Sequence, residues 1–463
     1  MNRIAMVCGD GLPVSGLLTI FRNVIDLGRD MNVVDGTISA DLGFSWRPDK
    51  PAFYPSGPAT GGYPEWLEVS DARPAGDPDV LAAEWLNLRS CVARAEELDE
   101  SERADLNNRI EVHAAPYETY FYDWLQRDGI DWMFGINMTL SDAVPVTLGM
   151  HRAAARHWDG DRPGGLVFWD HDLFASYSVH EGAERVYPRR PNEFTPLPGP
   201  GRCHRWIVPT RQLADEIGTY PTALAPLVVP YVLPAVPVGE LSERHHQFRS
   251  QRNLDPGRPV ILAPVRVFRV KGVEIAVSLF AALRRACERR GEPVPYLLVF
   301  GTLDEDPEYT TEVLATVDRE QVGDDLRFLG GVPVTSYQDP AGTWMLDEID
   351  LLNIASTTDG GVFYTPNRPD VESVGLGPAL AAAARLPFAA TSYNAFDGAY
   401  GTRLAHVRVN GRDDIVRAAN EFSEWLAGKR RGDRAVLAAL AANAGEIQRH
   451  FPDGPTRDFL LSL

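Results

Sequence analysis

A five-proline segment, Pro221 to Pro237, divides the chain into two runs that repeat one pattern. This repetition restricts the fold more than any other feature. Each run alternates short apolar stretches with longer amphipathic ones. Short apolar stretches bounded by turn residues read as strands, and apolar positions at helical spacing read as helices. The first run opens with a strand at residues 3–8 and a glycine-rich turn at 9–16. A helix over 17–30 then puts Leu17, Ile20, Phe21, Val24 and Leu27 on one face. Strands at 131–136, 165–169 and 206–208 follow, with helices at 78–97, 101–126, 141–157 and 210–218 and a Pro/Gly-rich surface loop at 50–75. The second run has strands at 259–264, 296–300, 326–329, 361–364 and 388–391. Its helices fall at 273–287, 307–319, 344–353 and 377–386, and a helical region over 412–450 closes it. Strands alternating with helices predict parallel sheets. The expected fold class is therefore α/β, with two Rossmann-like halves facing a cleft. The first half spans 1–235 and the second 236–445, with the C-terminal helix at about 445–463 packing back on the first.

Composition narrows the partners. A formal charge of −19 over 463 residues disfavours nucleic acid and anionic membrane surfaces. No apolar run reaches the ~20 residues of a membrane span, and residues 4–8 are too short for a secretory signal. The four cysteines (Cys8, Cys91, Cys203 and Cys287) form no Cys-x-x-Cys pair. Cys8 and Cys287 fall in apolar segments and read as buried thiols. These features point to a cytoplasmic protein acting on small soluble molecules, with a homo-oligomer possible, and they argue against structural zinc. Lysine occurs only at Lys50, Lys271 and Lys429, whereas arginine is abundant. A lysine kept against such a bias draws attention to Lys271.

The chemistry-bearing stretch is Pro366 to Thr391, read as a loop, a short helix and a strand. Gly377-Pro378 is the expected helix start, because proline suits the first helical position. A glycine-rich turn feeding a helix N-terminus is an anion site, here built from Gly375, Leu376 and Gly377. Glu372, just upstream, cannot hold phosphate but can accept bonds from sugar hydroxyls. In the first half, Asp170-His171-Asp172 follows the strand 165–169, where open α/β sheets place ligands. Asp170-x-Asp172 has a metal-like spacing, yet its tryptophan and histidine neighbours suit a sugar pocket, and no metal is expected. Gly9, Gly11 and Gly16 let the backbone approach a ligand. Val14 stands where a dinucleotide fingerprint needs glycine, so a nicotinamide cofactor is not expected.

Across residues 259–400 the chain resembles family 4 glycosyltransferases, retaining enzymes of the GT-B fold. Arg266-x4-Lys271-Gly272 matches that family's diphosphate-binding element. Phe328-Leu329-Gly330 matches the segment leading to the nucleotide base, with Gly331 and Val332 continuing it. Glu372-Ser373-Val374-Gly375-Leu376 matches Glu-x-Phe-Gly-Leu. The first half resembles the family more loosely, through the glycine-rich turn and His171. The resemblance implies sugar transfer with retention from a nucleoside-diphosphate sugar of GDP or UDP type, without metal or other cofactor. It makes His171, Arg266, Lys271 and Glu372 the candidate catalytic residues. Gly11, Gly16, Asp170, Asp172, Gly330, Gly331, Val332, Gly375, Leu376 and Gly377 become candidate substrate contacts. One departure is that Leu380 stands where the family carries a second, ribose-binding glutamate. The arginine-rich coding bias suggests an actinobacterial natural-product pathway with O- or S-glycosylation of a small acceptor. Pseudo-glycosidic coupling, phosphorolysis and non-catalytic binding of a sugar nucleotide are the alternatives.

Overall fold

The computed structural model describes residues 1–9, 16–43, 61–70, 78–160, 162–176, 180–181, 184–201, 203–237 and 239–463. Gly11 and most of the loop expected at 50–75 lie outside these.

The first half carries β1 (Ile4–Cys8), β2 (Ile38–Asp41), β3 (Leu67–Val69), β4 (Trp132–Ile136), β5 (Gly165–Trp169), the small pair β6 (His180–Glu181) and β7 (Glu184–Arg185), β8 (His204–Val208) and β9 (Leu227–Val228). Seven of these form one sheet in the order β3-β2-β1-β4-β5-β8-β9. Every pairing in it is parallel. The second half carries β10 (Val260–Ala263), β11 (Tyr296–Val299), β12 (Leu326–Phe328), the hairpin β13 (Tyr337–Gln338) and β14 (Trp344–Met345), β15 (Gly361–Tyr364), β16 (Phe388–Thr391) and β17 (Val407–Val409). Six of these form a second parallel sheet in the order β12-β11-β10-β15-β16-β17. Helices cover both sheets, which is why the central strands read as continuous apolar runs rather than alternating ones.

The strands Ile38–Asp41 and Val407–Val409 and the helix Glu243–Gln251 have no counterpart in the sequence expectation, and several expected boundaries move. Leu67–Val69 pairs in parallel with Ile38–Ala40, so the Pro/Gly-rich stretch contributes an edge strand rather than loop alone. The proline-rich divider is shorter than its sequence signature, because Leu227–Val228 still belongs to the first sheet. The helix expected at 344–353 runs over Glu348–Thr357, since Asp347 caps it by accepting from Asp350 N at 2.9 Å. The helix expected from Gly377 begins at Leu376, so Pro378 is its third residue. There the N–H has no intrahelical acceptor in any case.

The chain passes between the halves twice, near 229–242 and near 451–453. The two passages touch. Tyr231 and Phe451 stack with ring centroids 6.1 Å apart and planes 10° from parallel, and Thr456 Oγ1 donates to the Pro230 carbonyl at 3.0 Å. The last helix, Asp453–Leu461, lies on the first half. Phe459 meets Phe134 edge-on at 6.3 Å, and Trp132 Nε1 donates to the Leu463 carbonyl at 3.0 Å. One hydrophobic core runs from Ile4 through this junction to Leu460.

Candidate active site

Lys271 closes a single 3-10 turn, Arg269–Lys271, that leaves β10. Gly272 follows with φ +63, and a Cβ there would lie 1.9 Å from the Thr365 carbonyl oxygen. Thr365 Oγ1 in turn donates to the Gly272 carbonyl at 3.0 Å. The Lys-Gly pair is therefore a docking joint: only glycine lets the turn after β10 rest on the end of β15. It places Lys271 Nζ 2.7 Å from Glu372 Oε1, with the glutamate side chain 7% exposed and the lysine 27%. Arg266, six positions upstream of Gly272, pairs with Glu305.

The loop carrying Glu372 is held from below by three buried tyrosines. Tyr393 OH donates to the Val374 carbonyl at 2.7 Å, and Tyr400 OH donates to the Gly375 carbonyl. Tyr364 lies against the same turn. Gly375 has φ +72, and a Cβ on it would sit 2.7 Å from the hydroxyls of both Tyr364 and Tyr393. Burial and the charge of Glu372 keep all three phenols protonated well above the ordinary range. The helix Leu376–Ala383 starts at this turn, and its N-cap residue, Gly375, has no side chain to cap the first N–H groups. Those groups and the helix dipole are open to an anion. Gly330 and Gly331, both at positive φ, follow β12 after Leu329, and Gly331 N donates to the Phe300 carbonyl at 2.9 Å. Val332 behind them is buried.

From the first half, the loop after β5 is clamped by Asn137 at the end of β4. Asn137 Oδ1 accepts from His171 N at 2.7 Å and from Asp172 N at 3.3 Å, and its Nδ2 donates to Asp172 Oδ2 at 3.3 Å. Asp172 reaches the second half. Burial raises its pKa, the Ser373 side chain and the Lys271 charge oppose this, and the Glu372 charge adds to it. His171 is 2% exposed and its Nδ1 lies 3.0 Å from Tyr231 OH. Burial lowers its pKa to about 3, so the imidazole is neutral at ordinary pH.

The structure thus gathers Lys271, Glu372, Asp172 and the Gly375 turn between the carboxyl ends of the two sheets. Asp170 points elsewhere. It is fully buried, and its Oδ2 accepts from Thr139 Oγ1 and Trp206 Nε1, each at 2.7 Å. Its role is internal to the first half. Gly16 opens the first helix and is exposed. Leu380 is 2% exposed and packed in the core. Asn137, Tyr231, Glu305 and the three tyrosines were not expected from the sequence. The signal available for Asn137 was an asparagine directly after a strand, where it takes φ +52. Among the described residues no cluster of three or more His, Cys, Asp or Glu is arranged to hold a metal ion. No helix among them is long and apolar enough to cross a membrane.

No known family model matches the chain, and no curated protein matches it in sequence. Solved structures do. HepE from Anabaena, in complex with UDP and glucose, is 14% identical with a TM-score of 0.57, and the match covers 100% of both chains. A glycosyltransferase from Rickettsia africae is 11% identical with a TM-score of 0.56, covering 100% of this chain and 97% of that one. Sucrose-phosphate synthase from Thermosynechococcus elongatus is 14% identical with a TM-score of 0.54, covering 99% and 97%. At this identity the likeness concerns architecture: two parallel-sheet α/β halves, with the last helix returned to the first, make this chain a GT-B fold.

Proposed function

We propose that the chain is a retaining, metal-independent glycosyltransferase that moves a sugar from a nucleoside-diphosphate donor to a small soluble acceptor. The observation that carries this reading is one juxtaposition. A lysine, an uncapped helix N-terminus and a buried glutamate meet at the carboxyl ends of β10 and β15, opposite His171 and Asp172. The departing group in sugar transfer is a nucleoside diphosphate whose negative charge grows as the glycosidic bond breaks. Lys271 supplies a compact positive charge and Arg266 a bidentate fork for that charge. The N–H groups of Leu376 and Gly377 supply fixed dipoles. Donors aimed in advance at developing charge are usually the largest single contribution to catalysis. Glu372 keeps Lys271 in place and presents its other oxygen to sugar hydroxyls, while His171 and Asp172 face the sugar from across the cleft. HepE, with UDP and glucose bound on the same architecture, is consistent with this division of labour. Leu380 offers no carboxylate for ribose, so the donor is held chiefly by its diphosphate and sugar. The net charge of −19 suits a small acceptor better than a polyanion or an anionic membrane. A cytoplasmic enzyme of secondary metabolism fits these features.

The test is turnover. UDP-, GDP-, dTDP- and ADP-glucose are incubated with the protein, and nucleoside-diphosphate release is followed while proton NMR reads the anomer of the first sugar formed. The reading predicts release from one donor and an α-anomer formed first. A β-anomer formed first would contradict retention. Release from none, with simple alcohols and thiols present as acceptors, would favour non-catalytic binding.

A further inference from the structure

At the cleft, His171 Nε2 is buried and without a hydrogen-bond partner, as is Nε1 of Trp169 beside it, while His171 Nδ1 meets Tyr231 OH at 3.0 Å. The His171 ring is enclosed by two others, Trp169 at 4.9 Å and Tyr231 at 5.4 Å between centroids. Among the described residues the Tyr231 hydroxyl has His171 as its one hydrogen-bond partner. A neutral imidazole carries one hydrogen, on one nitrogen or the other. Suppose it sits on Nδ1. Then Nδ1 donates to the tyrosine oxygen, the tyrosine hydrogen has no acceptor, and Nε2 has no donor, so two buried groups go unpaired. Suppose instead that it sits on Nε2. Then Tyr231 donates to Nδ1 and only the Nε2–H is unpaired. Each buried unpaired group is costly, so the second arrangement is preferred.

We propose that Tyr231 is a positioning residue that fixes His171 with its hydrogen on Nε2, making that nitrogen a neutral hydrogen-bond donor to an oxygen of the bound sugar. The proposal rests on the sugar-nucleotide reading above and assigns the direction of one bond within it. The tyrosine is well placed for this role. It belongs to the passage between the halves, and its other face stacks on Phe451, whose ring lies 5.7 Å from Tyr400. Tyr400 holds the Gly375 carbonyl. One aromatic column thus links the imidazole of the first half to the helix-start turn of the second. A shift at the junction would carry both ligand-facing groups together.

Long-range nitrogen–proton NMR of the ligand-free protein, with nitrogen-labelled histidine, tests the tautomer directly. His171→Gln identifies the signals. The expected result is a protonated Nε2 and a bare Nδ1 for His171 in the wild type, with a mixed or reversed pattern in Tyr231→Phe, which keeps the ring stack. A hydrogen on Nδ1 in the wild type would overturn the proposal whether or not any nucleotide binds. Affinities for UDP-, GDP-, dTDP- and ADP-glucose and for the four plain diphosphates then test the role. Tyr231→Phe is expected to weaken the sugar nucleotide by about three- to tenfold while leaving its plain diphosphate unchanged. An equal loss for both would reduce Tyr231 to a structural part. Binding of no member of either set would remove the sugar-nucleotide reading, and with it the role given to Nε2, even with the tautomer as predicted.

Discussion

Asp170 holds a carboxyl group where water does not reach it. Burial lifts its pKa to about 7, despite hydrogen bonds from Thr139 and Trp206 that favour the charged form. In the unfolded chain the ordinary value is near 3.8. Between these values the folded state keeps a proton that the unfolded state has lost. Asp170 therefore contributes stability at acid pH that is lost as the pH rises from about 4 to about 7. His151 and His171 act in the opposite sense. Burial lowers each to about 3 from 6.5, so between those values the unfolded state binds protons that the folded state does not. Their contribution is present above 6.5 and is lost as the pH falls towards 3. The three groups partly cancel and flatten the wild-type profile. Asp170→Asn removes the opposing proton. Urea titrations across about pH 4 to 7 should show its stability rising more steeply with pH than that of the wild type, by about 1.4 kcal/mol per unit. Parallel profiles for the two proteins would contradict the buried, protonated Asp170.

The joint between the turn after β10 and the end of β15 decides where Lys271 sits. Gly272→Ala forces a left-handed backbone on alanine and drives its Cβ into the Thr365 carbonyl. Left-handed strain costs about 1 kcal/mol, and the collision adds to it, so a loss of about 2 kcal/mol or more is expected in chemical denaturation. Gly160→Ala is the control: its φ is +71, but a Cβ there meets nothing within 4 Å, so strain acts alone. Equal losses for the two variants would contradict the docking role of Gly272. Five of the six sheet strands of this half were legible because parallel strands covered on both faces are written as unbroken apolar runs, as in Val260–Ala263 and Phe388–Thr391; the edge strand Val407–Val409, with exposed Arg408 between its valines, was not. The Lys-Gly element was legible because it follows such a run at fixed spacing. Leu67–Val69 was not, because a short edge strand inside a Pro/Gly-rich stretch has no apolar run to announce it. Glu305 and Tyr231 escaped for a different reason. Their roles depend on which loops the fold brings face to face, and no local spacing encodes that.

At the scale of the molecule, the two sheets are separate in sequence but share a core and a junction. Phe451 on Tyr231, Thr456 on Pro230 and Phe459 on Phe134 tie the end of the chain to the first passage between the halves. The groups proposed to act on the donor come from both sides of this junction, so nucleotide binding reports on the whole arrangement. The most direct measurement is thermal unfolding of wild type and Lys271→Ala with UDP, GDP, dTDP and ADP, each protein compared with its own ligand-free midpoint. Saturation at a hundredfold excess over Kd stabilises a folded protein by about 2.7 kcal/mol. The account predicts that one diphosphate raises the wild-type midpoint and that Lys271→Ala loses this rise. A rise that survives in Lys271→Ala, or no rise with any of the four, would contradict it.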